Sequence, residues 1–598
     1  MFLTPRPRGP HSLRALFPLF GLLCCASAAQ AARCGTALYF ERLARGEAAH
    51  PGKGLKAASH AAVDNRARTL VSDNFLIHYS LRAWHRVHTE TGDTALVKLT
   101  DSLYAVFASL PPAPRDSAVY ARLDSAGAPH PLYIQKLKQY SEAARAYYVG
   151  KLGMPGPVSS VLSVQYNVPA SLPRRFPIDV VDVGTADPAY AGETYAITYP
   201  PSDLSISFEN DFICNTTLDE AGRIHGQDIQ SRLGAQVIHD YANDWELGIK
   251  VTAFHEFYHA VQFTYIPRVT SYHAWYEISA TGMEERKAPE VDDYLQYLPC
   301  ILKNHDRVPL TSTLAGPCTH YPMYGHSIFH QYLTRALDST FDVKVWEQLS
   351  HNGDALRDGL EATFAKYGKT TTELYSEYAA ETFFAGKRFA IPAPQPWSTG
   401  PLFSDDTPKW PDIVLDSVDL AGDPYRTINL AAMTYGVLKV KWGAGATARI
   451  LQAKVAAGIT RIHANADTSI VEALSETQLT LGPPRAGFNE YYLVLPNPSF
   501  TDKATIEIKD PDAEFYAFPN PASVGDGLMG FSQAKGMTFP AEVRIYSEAG
   551  KLVRSLEFAD DLHALDWNLR DANGNAVKPG VYYYRLGTEA LKTLVLLR

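Results

Sequence analysis

Paired CxxC cysteines, a surplus of basic residues, and an apolar run of membrane length past the N-terminus are all missing from this sequence. The 598 residues include only six cysteines, none in the tight spacing of a zinc knuckle. Lys and Arg number 55 against 64 Asp and Glu, a net charge of −9. Such a chain lacks the electrostatic footprint expected of a nucleic-acid or anionic-membrane binder. No internal segment reaches the roughly 20 apolar residues that a spanning helix needs. What is present is a 46% hydrophobic and 11% aromatic composition, enough to build real cores. The length suggests about three or four domains. The 34 tyrosines lean toward β-rich or extracellular modules.

Residues 1–31 read as a secretory signal peptide. Arg6, Arg8 and Arg14 supply the basic start, Ala15 to Cys25 the apolar stretch, and Ala29-Gln30-Ala31 a small-residue cleavage site. Leu23 before Cys24 and Arg33 before Cys34 suit lipidation poorly. The mature protein is expected to be secreted or held at the cell surface. Cleavage leaves Cys34, Cys214, Cys300 and Cys318, which allow three pairings in an oxidising compartment. The short loop favours Cys300–Cys318, leaving Cys34–Cys214; unpaired buried thiols are the alternative.

Residues 32–70 have little periodicity and read as a spacer or pro-segment. Between 71 and 390 strand and helix patterns mix. Phe75, Ile77 and Tyr79 alternate with Leu76, His78 and Ser80 as in a strand, and Pro131 to Met154 has helical spacing. Ile178 to Val183 reads as a buried strand, and Leu204 to Phe208 as a half-exposed one. Helices are expected over Asp244 to Tyr265, over Tyr324 to Leu337, and from Thr370, where Thr370 and Glu373 have capping-box spacing. The proline-rich segment 391–411 marks the main boundary. Short Val-, Ile-, Thr- and Tyr-rich segments follow, reading as a β-sandwich over 412–510 and a small all-β domain over 511–598.

The decisive segment is Phe254-His255-Glu256-Phe257-Tyr258-His259-Ala260, an H-E-x-x-H pattern in apolar surroundings. On a helix, positions i and i+4 share a face, so His255 and His259 can offer imidazoles to one metal. Zn2+ accepts such ligands and tolerates an open fourth position. Glu256 then stands beside the metal as general base toward a water that the metal has acidified. As two structural histidines, the pair would leave Glu256 an unexplained buried charge. The third ligand is expected at Glu277, eighteen positions after His259 on a second helix, with Glu284, Glu285 and His273 as rivals. Small Ser279 and Ala280 permit close helix packing, and Thr281 could orient a histidine from the second shell. Glu284 and Glu285 read otherwise as a helix face. Tyr324 and His326 are candidate donors to an oxyanion, though each also reads as a packing residue. His305, His320 and His330 read as ordinary histidines. The strand Leu204 to Phe208 is a candidate sheet edge for an extended substrate, or a plain strand.

H-E-x-x-H with a downstream Glu on a helix resembles the gluzincin clan of zincin peptidases. More closely, residues from about Ser72 to Gly386 resemble a group of secreted bacterial metallopeptidases met in myxobacteria and related lineages. The segments that carry the likeness include Asn74 to Tyr79, His255 to Gln262, Glu277 to Glu285, Asp293 to Pro299 and Tyr324-Gly325. Many members have Gly and Trp where this chain has Ile278 and Gly282. The resemblance implies an α+β zincin-like catalytic domain acting on a protein or peptide substrate. The last domain resembles the Ig-like modules of the FlgD-like and type IX sorting groups. Its carriers are Phe518-Pro519-Asn520-Pro521, Val543 to Tyr546, Trp567 and Gly580 to Leu586. That likeness implies contact with secretion machinery or the cell surface. The expected whole is therefore multidomain: a zincin-like peptidase followed by two all-β domains. The rivals are a non-catalytic surface or adhesive protein on a peptidase-derived scaffold, and a metal-dependent hydrolase of another bond.

Overall fold

The computed structural model describes Cys34 and Thr36, residues 67–80, 84–88 and 94–98, and most of 132–598. The signal peptide, most of the expected 32–70 spacer or pro-segment, His320 and most of the 391–411 linker lie outside the described residues, while Ala67 to Leu70 of that spacer belong to a strand of the core sheet.

The chain divides into two compact units. One comprises 1–297, 313–327 and 342–356; the other comprises 298–312, 328–341 and 357–598. In the first unit a five-stranded sheet is built from β1 (Ala67–Val71), β2 (Phe75–Ser80), β3 (Phe176–Val181), β4 (Ala196–Thr198) and β5 (Ile206–Glu209), in spatial order β1-β2-β3-β5-β4. β2, β3 and β5 run parallel, while β1 and β4 lie antiparallel at the edges. The β3 run of apolar residues is buried on both faces, as a central parallel strand requires.

The strand expected at Leu204 to Phe208 is β5, and it is neither half-exposed nor an edge. All four residues of Ile206–Glu209 are buried, and β4 lies outside it. Its polar side is satisfied internally: Glu209 Oε2 accepts from Val183 N–H at 2.9 Å. Alternation of Ser and Glu with apolar residues mimics a wet face when the polar side finds partners inside.

Helix α1 (Leu132–Arg145) and helix α2 (Trp245–Tyr265) complete the support. Glu246 in the first turn of α2 complements the helix dipole. Every residue from Val251 to Phe263 is buried, so α2 is a core helix and not an amphipathic one. Phe257 meets Phe75 of β2 and Phe176 of β3 edge-on, with centroids 5.3 and 5.7 Å away. Gly248 permits close approach on the other flank: a Cβ there would stand 2.9 Å from the Phe212 ring. α3 (His273–Lys287) packs along α2, and the short α4 (Pro322–Gly325) follows later in the chain.

In the second unit, a five-stranded sheet ordered Asp416–Asp419, Thr434–Lys441, Glu490–Asn497, Ile459–Ala464, Ser469–Leu474 shares an apolar core with a four-stranded sheet that includes Ala504–Lys509. A second, separate core runs from Phe515 to Leu596 and contains Trp567. There Ala541, Val543 and Ile545 point inward while their neighbours are half-buried, the period of a strand with one covered face. The helix Thr371–Thr382 starts with the expected capping box, Glu373 N–H donating to Thr370 Oγ1. Its Tyr375 and Tyr378 pack on Tyr435 of the sandwich, with centroids 6.3 and 5.9 Å away. Aromatic packing of this kind groups these helices with the β-strands, so the compact units do not divide at the proline-rich segment. Among the described residues, no helix is long and apolar enough to cross a membrane.

Candidate metal centre

Four donors converge at the C-terminal half of α2: His255, His259, Glu277 and Cys34, all buried, their ligating atoms within 4.8 Å of one another. The helical i, i+4 spacing brings the two imidazole Nε2 atoms to 2.9 Å. Glu277 Oε2, from α3, lies 3.2 Å from His255 Nε2 and 3.3 Å from His259 Nε2. Cys34 Sγ lies 3.4 Å from His259 Nε2 and 3.8 Å from Glu277 Oε1.

The outward nitrogens explain why the inward ones point at each other. His255 Nδ1 is bonded to Glu284 Oε1, and His259 Nδ1 to Gln262 Oε1 at 2.7 Å. Gln262 is itself fixed, its Nε2 donating to Tyr276 O at 3.1 Å and Ser279 Oγ at 3.0 Å. With each Nδ1 donating outward, the two Nε2 atoms present lone pairs to a common point. Two facing lone pairs at that distance repel unless a proton or a cation lies between them. An N2OS donor set of two imidazoles, a carboxylate and a thiol suits zinc, with each histidine oriented from behind by an oxygen acceptor.

The electrostatics agree. Burial lowers the pKa of both histidines, but Glu277 and Cys34 outweigh it at His259, holding it up at about 10. Cys34 and Glu284 likewise hold His255 well above its usual value despite burial. Burial raises Glu277, yet His259 and His255 pull its carboxyl well below the ordinary range. Burial lifts Glu284 to about 7 against the pull of His255. A pocket that draws protons onto histidines this strongly is one where a cation is favoured in their place.

Glu256 is buried next to this cluster without belonging to it. Its carboxylate receives the Thr198 hydroxyl of edge strand β4, and the Thr36 hydroxyl lies 3.4 Å from Oε2. Together with His255, Thr281, Glu284, Tyr297, Tyr324 and Cys34, it lines a cavity of about 20 Å3, room for roughly one water. Tyr324 reaches the same place, its hydroxyl donating to the Cys34 carbonyl at 3.3 Å.

The structure thus brings His255, His259, Glu256, Glu277 and Tyr324 together. Of the rival ligands, Glu284 stands behind His255, while Glu285 is buried and His273 half-buried, both outside the four donors. His326 is buried and also outside the four. Two expectations are corrected. Cys34 does not pair with Cys214: it is a free thiol in the cluster, whereas Cys300 and Cys318 are both disulfide-bonded. Thr281 orients no histidine; its hydroxyl has no hydrogen-bond partner among the described residues, and Gln262 and Glu284 do that work. Glu284, read from sequence as part of a helix face, is buried: its seven-residue offset from Glu277 puts both on the side of α3 that meets α2. The residues missed from sequence are Cys34 as a donor, Thr36, and Gln262. Gln262 stands three positions after His259 on one helix, a spacing that could have disclosed it.

No family model matches the chain, and no curated protein matches it. Solved structures give partial likenesses. PorZ, an essential surface component of the type-IX secretion system of Porphyromonas gingivalis, is 22% identical over 16% of this chain and 14% of its own, with a TM-score of 0.13. The adhesin domain of Epf from Streptococcus pyogenes is 12% identical over 29% of this chain and 71% of its own, with a TM-score of 0.12. A β-glucuronidase from Faecalibacterium prausnitzii is 11% identical over 29% and 36%, with a TM-score of 0.11. The chain therefore spans only a small part of PorZ, and at these scores none of the likenesses carries an argument about fold or function.

Proposed function

We propose that this chain is a secreted zinc-dependent peptidase of the gluzincin type. The observation that carries the reading is a buried carboxylate, Glu256, set beside a complete donor cluster that has no use for it as a ligand. His255, His259 and Glu277 would hold the metal. When bound, zinc supplies Lewis acidity, polarising a carbonyl and acidifying water. The rest belongs to the chain. Glu256 takes a proton from water and returns it to the leaving amine, the Thr198 hydroxyl fixing its carboxylate in line with the cavity. The Tyr324 hydroxyl, already donating to a peptide carbonyl, is placed to steady charge on the carbonyl oxygen of a substrate. The outer edge of β4, not β5, offers the backbone groups for an extended peptide. The signal-peptide pattern and the disulfide-bonded Cys300 and Cys318 support an oxidising, exported setting.

One observation favours another reading. Four protein donors make a closed set, as structural metal sites have. The chain would then be a non-catalytic surface or adhesive protein, and Glu256 would be a buried acid with no task. The test is zinc content and casein digestion on a Cys34→Ala background, which leaves the fourth position open. Addition of Glu256→Gln should keep the metal and abolish cleavage. Equal cleavage with and without that change would overturn the peptidase reading.

A further inference from the structure

We propose that Cys34 and Thr36 hold this site shut, the thiol as fourth metal ligand and the Cys34 backbone as an occupant of the substrate edge; this rests on the peptidase reading above. Four contacts made by two residues, more than 200 positions from α2, meet four separate needs of a peptide substrate. The backbone at Cys34 forms a parallel bridge to Ala196 on the outer edge of β4. Its carbonyl accepts from Tyr324 at 3.3 Å. The Thr36 hydroxyl accepts from Thr198 N–H at 2.8 Å and faces Glu256. The Cys34 sulfur faces His259 and Glu277. Strand edge, carbonyl donor, general base and metal position are thus all engaged by the chain itself, and both residues are buried. The cavity left over has no room for a peptide.

The sulfur gives its proton to solvent when it takes a cation and shares a lone pair with it. Opening the site requires the thiolate to leave and a water to enter; nothing is oxidised or reduced. Because the thiol is tethered to the protein it blocks, a free competitor displaces it poorly. The part of the expected 32–70 pro-segment that precedes β1 thereby acquires a chemical role: activation is removal or capture of Cys34.

The full chain loaded with Co2+ in place of zinc tests this. The parent protein should show a thiolate-to-cobalt charge-transfer band that Cys34→Ala lacks, while both keep the ligand-field bands of a histidine- and carboxylate-held ion. Iodoacetamide should label Cys34 slowly in the loaded protein and rapidly after chelation. Casein cleavage should rise about 100-fold in Cys34→Ala or after labelling. Absence of the sulfur band, or parent cleavage as fast as that of Cys34→Ala, overturns the proposal and leaves the peptidase reading intact. A sulfur band with no cleavage by parent, Cys34→Ala or labelled protein instead overturns the peptidase reading, and the restraint with it. Should Cys34→Ala misfold, the labelling and cobalt spectra of the parent decide alone.

Discussion

The metal-centre region and the β-core around Trp567 solve burial in opposite ways. At α2 and α3 the interior holds His255, Glu256, His259, Gln262, Glu277 and Glu284. Around Trp567 it holds almost nothing but apolar and aromatic side chains. Desolvating charged groups costs several kcal/mol each unless they are paired, so the first arrangement persists only where every group has a partner or an ion. The second needs no such matching and is secured by area and shape alone. Removing one group from the polar interior should therefore change chemistry first, while removing one from the apolar core should change stability first.

The largest effect is expected at Glu277. Glu277→Ala removes the carboxylate that faces both imidazoles and should leave the purified protein essentially free of zinc by elemental analysis. Retained metal would move the ligand elsewhere and break the contrast. Next comes the apolar core. Trp567 is fully buried, with its Nε1 donating to Arg570 O at 2.8 Å. Trp567→Ala should cost about 3–5 kcal/mol, read by chemical denaturation, with metal content unchanged. Loss of zinc in that variant would show that the two regions are not separable. A smaller change is expected at Gln262, which touches no metal but orients His259. Gln262→Ala should weaken zinc binding by about 10–100-fold in a chelator competition, while Gln262→Glu should restore most of it.

These two interiors also differ in how far the sequence disclosed them. The β-regions were readable because short Val-, Ile-, Thr- and Tyr-rich runs recur between turns and some carry a period of two, as Val543 and Ile545 against Glu542 and Arg544 show. The H-E-x-x-H face was readable because helical geometry alone places His255 beside His259. Glu277 was within reach as an acid on the next helix. Cys34 was not, since its place depends on an edge pairing with Ala196 that no local pattern encodes, and a thiol in a sequence read as exported reads first as half of a disulfide. The β5 error has the same root. Ser205, Ser207 and Glu209 look wet by composition, and only the partner at Val183 shows that they are not.

The smallest effect separates the regions by histidine alone. In the β-sandwich, His463 stacks on Tyr491 with centroids 4.9 Å apart and lies near Arg461 and Arg485. Burial, then those two arginines, holds it down at about 4, against 6.5 when unperturbed. As pH falls, the unfolded chain takes this proton first, so stability is lost from about pH 6.5 down to about 4. At His259 the sign reverses. Its folded value is raised to about 10, so in the chelated protein its contribution is present below about 6.5 and lost as pH climbs through 10. Acid should therefore weaken the sandwich through His463 while leaving the metal-free α2 region favoured by its charged histidines. Denaturant midpoints of chelated protein at pH 7 and pH 4 measure the difference, and His463→Gln should flatten the acid limb without moving the alkaline one. An acid limb unchanged by that substitution would mean that His463 is as comfortable charged as neutral, and that burial in this core penalises charge no more than the metal centre does.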